Sequence, residues 1–223
     1  KGASPMANDQ GLRDQLVNTM QFLHGRGWCD GTGGNFSAVL QRHPLRLLMA
    51  PSGVDKGSVH SDALIVVDGN GTVITGEGDA SAETAIHLHL INALDAGAVL
   101  HTHSLTATVL SRIHSASGSI RLEGWEMLKG LKGIATHEAT IELPIVANDQ
   151  DMPRLVQTMQ TCLQRHIPGL LVAGHGLYAW GESLSDARRH VEILEFLLSA
   201  HWMSQLCPNQ PARGDHENTT PSF

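Results

Sequence analysis

The residues best suited to chemistry are three histidines, two of which are separated by a single residue. His101 and His103 form a His-Thr-His segment at the end of an apolar run that begins at Ala98. Side chains alternate across a β-strand, so two imidazoles with this spacing lie on one face and can reach a single Zn²⁺ ion. His175 lies between two glycines after another apolar run, where the backbone can turn to aim its ring. Three neutral imidazoles leave a coordination position open, so together they predict a catalytic metal site rather than unrelated structural histidines.

A glutamate precedes this histidine pair on a predicted helix over residues 82–95. Glu83 and His87 are four residues apart and therefore share one helical face. Two interpretations stay open for Glu83. It either forms an ordinary surface ion pair, or it reaches the metal or the substrate from the start of the helix.

Two loops of small polar residues are candidates for binding an anion. Residues 32–37 read Thr-Gly-Gly-Asn-Phe-Ser, and residues 51–53 read Pro-Ser-Gly. Such loops can direct several N–H groups at one phosphate, and Ser81 at a helix N-terminus adds a hydroxyl and a favourable dipole. Each signal is weak alone, because segments of this composition mostly form turns. Neither loop matches a P-loop or a dinucleotide-binding motif.

The apolar periodicity around these motifs predicts one α/β domain over residues 10–206. Residues 1–9 are expected to be disordered, and residues 207–223 to form a flexible tail. Asp68-Gly-Asn-Gly71 indicates a β-hairpin. The predicted helices cover residues 10–26, 82–95, 105–113, 123–132, 151–166 and 184–205. The predicted strands cover residues 36–40, 45–50, 63–67, 72–75, 98–103, 141–146, 169–173 and 177–180.

Composition excludes several classes of partner. The formal net charge is −7 and no block of Lys or Arg occurs, so a nucleic-acid or anionic-membrane surface is not expected. No apolar run approaches the roughly 20 residues of a membrane span, and no secretory leader is recognisable. The three cysteines are widely spaced and lack a CxxC pair, which is typical of a reducing cytosol. We therefore expect a cytoplasmic protein that binds a small molecule.

Five motifs in order, GGNFS, PSG, SAE, HTHS and GHG, resemble those of the class II aldolase/adducin family. The resemblance covers roughly residues 10–205 and implies a central, largely antiparallel sheet sandwiched between helical layers. It also implies one zinc ion per subunit on His101, His103 and His175, a sugar-phosphate substrate, and a homotetramer with sites near subunit boundaries. The phosphate ligands that it implies are Gly34, Asn35, Ser52, Gly53 and Ser81.

Two further segments resemble one branch of the family. Residues 126–130 (Glu-Met-Leu-Lys-Gly) and 136–138 (Thr-His-Glu) are similar to those of dehydratases of methionine salvage, which act on a ketose 1-phosphate bearing a methylthio group. The resemblance implies that Glu126 is the catalytic acid/base and that Glu83 shares this work or binds the metal. Some dehydratases carry a cysteine where this chain has Glu83, the residue found in aldolases of the family.

Two alternatives stay open from the sequence. A class II aldolase or a pentulose-phosphate 4-epimerase would use the same metal site, and residues 126–130 argue for dehydration instead. Some aldolases also use a tyrosine near the C-terminus, whereas the one tyrosine here is Tyr178. A non-catalytic, adducin-like scaffold typically lacks the metal ligands, and all three histidines are present here.

Overall fold

The computed structural model describes residues 7–206, which form one mixed sheet with helices on both faces. The predicted tail and most of the predicted disordered N-terminal segment lie outside these residues, and the first helix begins at Ala7 rather than at residue 10. The helices are α1 Ala7–Gly25, α2 Thr84–Leu94, α3 Leu105–Ile113, α4 Met152–Cys162 and α5 Leu184–Leu206. The strands are β1 Asn35–Gln41, β2 Arg46–Met49, β3 Ile65–Asp68, β4 Val73–Thr75, β5 Ala98–Thr102, β6 Ser119–Glu123, β7 Thr140–Val146, β8 Gly169–Val172 and β9 Gly176–Gly181.

The strand that carries the histidine pair lies at the centre of the sheet. In the described residues the strand order is β4-β3-β2-β1-β5-β9-β8-β7-β6. Only β7 and β8 pair in parallel there, and the other neighbours are antiparallel. Strand β5 is therefore hydrogen-bonded on both edges, to β1 and to β9. A strand held on both sides cannot slip in register, which keeps its side chains on their assigned faces.

Alternation along the strands divides the core into two layers. Leu100 of β5 packs with α1, α3 and α5 on one face, whereas Val99 packs with α2 and α4 on the other. The predicted sandwich of a largely antiparallel sheet between helical layers is thereby confirmed. Within residues 7–206, no helix combines the length and the apolar character needed to cross a membrane.

The region after α3 differs from the prediction. Residues 119–123 form an unpredicted strand, β6, whose Ile120 and Leu122 are buried while Arg121 is exposed. The helix predicted over residues 123–132 is limited to a 3₁₀ turn, Glu126–Gly130. Strict alternation is the signature of a half-buried strand, and the antiparallel pairing of β6 with β7 fixes it here.

A buried carboxyl group of α5 is hydrogen-bonded to the face of β5 that α5 covers. Glu195 is 1% exposed; it accepts a hydrogen bond of 2.8 Å from Thr102 Oγ1 and another from the Ser104 hydroxyl. The same Ser104 oxygen accepts from Ala107 N and caps α3. Burial raises the pKa of Glu195 to about 7, since the charged form loses its hydration, and the two hydroxyl donors offset only part of this.

The raised pKa of Glu195 predicts a pH dependence of folding stability. The folded-state value of about 7 lies above the ordinary value of 4.5, so the stabilisation is complete below pH 4.5 and is lost as pH rises through 7. In chemical denaturation with chelator present, the free energy of unfolding of the native chain relative to Glu195→Gln should fall by about 2 kcal/mol between about pH 5 and about pH 7.5. Glu192→Gln, on the partly exposed face of the same helix, should leave this pH dependence in place. A constant difference between the native chain and Glu195→Gln would contradict the assignment.

Candidate metal centre and anion cleft

The three predicted histidines converge, although they come from different parts of the fold. His101 lies in β5, His103 follows the end of that strand, and His175 lies in the turn between β8 and β9. The Nε2 atom of His101 is 2.8 Å from Nε2 of His103 and 3.2 Å from Nε2 of His175. Ligands about 2.0–2.1 Å from a tetrahedral Zn²⁺ ion lie at similar mutual distances, so this spacing fits one small cation.

The protonation of His101 and His103 also suits a metal. His101 Nδ1 donates to the Leu177 carbonyl oxygen at 2.9 Å, which leaves the Nε2 lone pair free to face the other two rings. Burial, reinforced by the neighbouring histidines, lowers the pKa of His101 and of His103. The His101 ring stacks on Tyr178 with centroids 3.8 Å apart. With its oriented Nε2 atom, His101 forms with His103 and His175 a donor set that could bind a metal ion.

Glu83 lies against these histidines rather than on the protein surface. Its Oε1 atom is 3.2 Å from Nε2 of His175, and its Oε2 atom is 3.5 Å from Nε2 of His101. The side chain is 16% exposed. Glu83 immediately precedes the first residue of α2, so the start of the helix determines where its carboxylate lies. This placement fits the second of the two interpretations of Glu83 and not an ordinary surface ion pair with His87.

The two small-residue loops and the start of α2 enclose a single cleft of about 260 Å³. All five residues predicted to bind phosphate line it, and so do Glu83 and His103. Gly34 has φ +73°, and a Cβ atom there would lie 2.6 Å from the His101 carbonyl oxygen. Only glycine permits this close approach of the loop to β5. The predicted anion loops therefore lie beside the histidine cluster, which reaches the cleft through His103.

The cleft also contains a cation that the sequence analysis missed. Lys56 is 3% exposed, and its Nζ atom donates to the Thr32 carbonyl oxygen at 2.7 Å. Burial lowers the pKa of Lys56, because a confined ammonium group loses hydration. Lysine is almost never fully buried without a partner. The sequence signal that could have identified Lys56 is its position three residues after the Ser-Gly pair of a candidate anion loop.

Glu126, the predicted acid/base, does not lie beside the cluster of His101, His103 and His175 in its own chain. Its side chain is 72% exposed and pairs with Lys129 Nζ at 2.6 Å and with His137 Nδ1 at 3.8 Å. The hydrogen bond from Lys129 lowers the pKa of Glu126. Glu126 is also absent from the residues that line the anion cleft. Within the described part of a single chain, the metal-competent cluster and this glutamate are separate.

Comparison with known proteins agrees with the fold. A methylthioribulose-1-phosphate dehydratase from Sorangium cellulosum is 42% identical over 189 residues, which cover 82% of this chain and 88% of that protein. A putative aldolase/epimerase/decarboxylase from Escherichia coli is similar in structure, with a TM-score of 0.77 and 25% identity over 92% of this chain and 93% of that one. An L-fuculose-1-phosphate aldolase from Thermus thermophilus shares the fold, with a TM-score of 0.71 and 22% identity over 89% of this chain and 100% of that one.

A family model, described as the Class II Aldolase and Adducin N-terminal domain, matches residues 14–202. The match includes the histidine cluster, both anion loops and the residue-126 segment. The chain belongs to the class II aldolase/adducin family.

Proposed function

We propose that this protein is a zinc-dependent hydro-lyase that dehydrates 5-methylthioribulose 1-phosphate to 2,3-diketo-5-methylthiopentyl 1-phosphate, a step of methionine salvage. The observation that carries the proposal is that the histidine cluster borders the anion cleft through His103. A metal-competent site beside a cleft lined by possible phosphate ligands suits a ketose phosphate. The substrate itself is inferred from the dehydratase that is 42% identical to this chain.

His101, His103 and His175 would hold one zinc ion per subunit. When bound, zinc supplies Lewis-acid polarisation of the ketose carbonyl. Imidazole nitrogens suit zinc among the available divalent metals. The described cysteines, Cys29 and Cys162, are free thiols, which is consistent with the cytoplasmic location that we propose.

The phosphate group would lie among the residues of the anion cleft. Gly34, Ser52, Gly53 and Ser81 offer backbone N–H groups and hydroxyls, and Lys56 adds a positive charge. This local donor set explains how a chain with a net charge of −7 could hold a dianion. Asn35 has less to offer the phosphate than predicted, since its amide already contacts Glu83 and His87.

Dehydration requires one base and one acid. The proton at C3 is removed, the C4 hydroxyl leaves as water after protonation, and tautomerisation gives the diketone. Glu83 lies next to the histidines and is placed to share this work or to contact the metal. Glu126 remains the candidate for the main acid/base, and its position in its own chain requires that it enter the cleft of a neighbouring subunit. That arrangement agrees with the proposed homotetramer with sites near subunit boundaries.

One observation favours the alternative of a class II aldolase or a pentulose-phosphate 4-epimerase. The residue before α2 is Glu83, as in aldolases of the family, and not a cysteine as in some dehydratases. Tyr178, in contrast, is buried against His101 and is therefore not free to protonate a leaving carbonyl group. The adducin-like scaffold is disfavoured because the three histidines are not only present but converge.

Turnover of the substrate is the direct test of the proposed function. Purified protein should convert 5-methylthioribulose 1-phosphate to a diketone without releasing dihydroxyacetone phosphate, and a chelator should abolish this activity. His103→Ala should lose zinc, measured by elemental analysis, together with activity. Release of dihydroxyacetone phosphate would favour the aldolase, whereas full zinc occupancy in His103→Ala would contradict the ligand set.

Lys56→Met should weaken binding of the phosphate while leaving the metal in place. The loss of one charged hydrogen bond corresponds to roughly a 10- to 100-fold rise in KM. Lys132→Met, at an exposed lysine that pairs with Glu182, is the matched control and should leave KM unchanged. Steady-state kinetics with zinc content measured in parallel would test this, and an unchanged KM in Lys56→Met would exclude Lys56 from the phosphate site.

Mixed oligomers test whether Glu126 acts on a neighbouring subunit. Glu126→Gln should lower kcat by about 10²–10⁴-fold with zinc retained, and His103→Ala should be inactive. If each site combines His103 of one chain with Glu126 of another, random co-assembly of the two variants restores about a quarter of native activity. No restoration in verified mixed oligomers would place both groups on one chain or remove Glu126 from the mechanism.

A further inference from the structure

A chain of four polar side chains leads from the core to the Glu83 carboxylate. Ser37 in β1 and His87 in α2 are both fully buried, at 0% exposure, and Ser37 Oγ lies 2.7 Å from His87 Nδ1. His87 Nε2 contacts Asn35 Oδ1, and Asn35 Nδ2 contacts Glu83 Oε2. The chain therefore runs Ser37, His87, Asn35, Glu83, and ends beside the three histidines.

The chemistry of the end group determines the direction of every hydrogen bond in this chain. A carboxylate only accepts, so the Asn35 NH₂ group must donate to Glu83. The Asn35 carbonyl oxygen then faces His87 and requires a donor, which places the imidazole proton on Nε2. Burial lowers the pKa of His87 to about 3, so the ring is neutral and carries one proton. Nδ1 is consequently an acceptor, and Ser37 donates to it.

This arrangement leaves the Asn35 amide a single orientation. A flipped amide would place Oδ1 against a carboxylate oxygen and would set the NH₂ group against the imidazole N–H, so that both contacts become repulsive. Asn35 itself is fixed by the backbone, because it pairs with His101 across β1 and β5. The Glu83 oxygen that receives the amide N–H is Oε2, and this leaves Oε1 directed at His175.

We propose that His87 is a positioning residue that donates from Nε2 to the Asn35 carbonyl oxygen, keeps the amide fixed and thereby holds the Glu83 carboxylate against the histidine cluster. This inference rests on the proposed function only for its kinetic consequences. Among the described residues His87 forms no ion pair with Glu83, and its effect passes through Asn35. A histidine that merely filled space beside Tyr178, whose ring centroid is 6.0 Å away, would have no preferred proton position.

The proton position can be measured without any turnover. In ¹⁵N NMR of the zinc-loaded protein, the His87 ring should show a protonated Nε2 and an unprotonated Nδ1, with its signals assigned by their loss in His87→Gln. This neutral form should persist from about pH 5 to about pH 8, since the ring is buried. A ring protonated on Nδ1, or one averaging between the two forms, would overturn the proposal whether or not the protein is a dehydratase.

Kinetics of matched variants test the consequence for Glu83. Glutamine at position 87 can present its Nε2 group close to the donor position of the imidazole, whereas leucine presents no donor. His87→Leu should lower kcat by about 10- to 100-fold with little change in KM, and His87→Gln should recover most of that loss. His190→Leu removes another buried imidazole, which bonds to the Trp180 carbonyl oxygen, and should leave kcat and KM unchanged.

A double-mutant cycle separates positioning from a general loss of packing. If His87 acts through Glu83, adding His87→Leu to Glu83→Gln should change kcat by no more than about twofold. Additive losses would overturn the proposal, as would equal losses in His87→Leu and His87→Gln. Should the leucine variant not fold, the NMR measurement on the native protein still decides, because it reads the proton position directly. Absence of turnover in the native protein would reject the proposed function and leave the NMR test standing.

Discussion

The antiparallel pairing of β5 with β9 is the constraint on which the rest of the site depends. It places His101 opposite Tyr178 and Thr102 opposite Leu177, and the Leu177 carbonyl oxygen accepts the Nδ1 proton of His101. The same pairing brings the turn that carries His175 next to β5. Gly176 is required at this turn, because a Cβ atom there would lie 2.0 Å from the Thr102 carbonyl oxygen. A shift of one residue between these strands would move His175 away from His101 and His103.

Both faces of β5 carry buried polar groups, and each face satisfies them differently. On the α2 face, the imidazole of His101 turns toward two other histidines and a carboxylate. On the α5 face, Thr102 and the nearby Ser104 share the carboxyl group of Glu195. Buried polar groups cost free energy unless they are hydrogen-bonded, so both networks must be complete for the central strand to be stable. The residues that flank His103 are thereby immobilised from the side opposite to the metal centre.

The anion cleft shows how a negatively charged protein can still attract a phosphate. Backbone N–H groups, hydroxyls and Lys56 are concentrated in a small volume, and local donors of this kind act at short range, where screening by salt is weak. The Glu83 carboxylate borders the same cleft, but Asn35 and the histidines occupy its oxygens. The cleft can therefore separate a region for an anion from a region for a cation within a few ångströms.

Much of this protein was determined by local sequence. The strand alternation places His101 and His103 together, the Gly-His-Gly segment predicts a turn, and small residues mark the anion loops, because each pattern reflects backbone geometry within a few residues. The helix over residues 105–113 and the hairpin at Asp68 were predictable for the same reason.

The relations between distant segments were decided only by the tertiary structure. Lys56, Glu195 and the His87–Asn35 contact acquire their roles from burial and from partners that are tens of residues away in sequence. Glu126 shows the same limit. Its motif was recognisable in the sequence, but the sequence did not reveal that it lies apart from the three clustered histidines of its own chain. A sequence pattern specifies which way a side chain leaves the backbone, whereas packing of the whole chain specifies what that side chain meets.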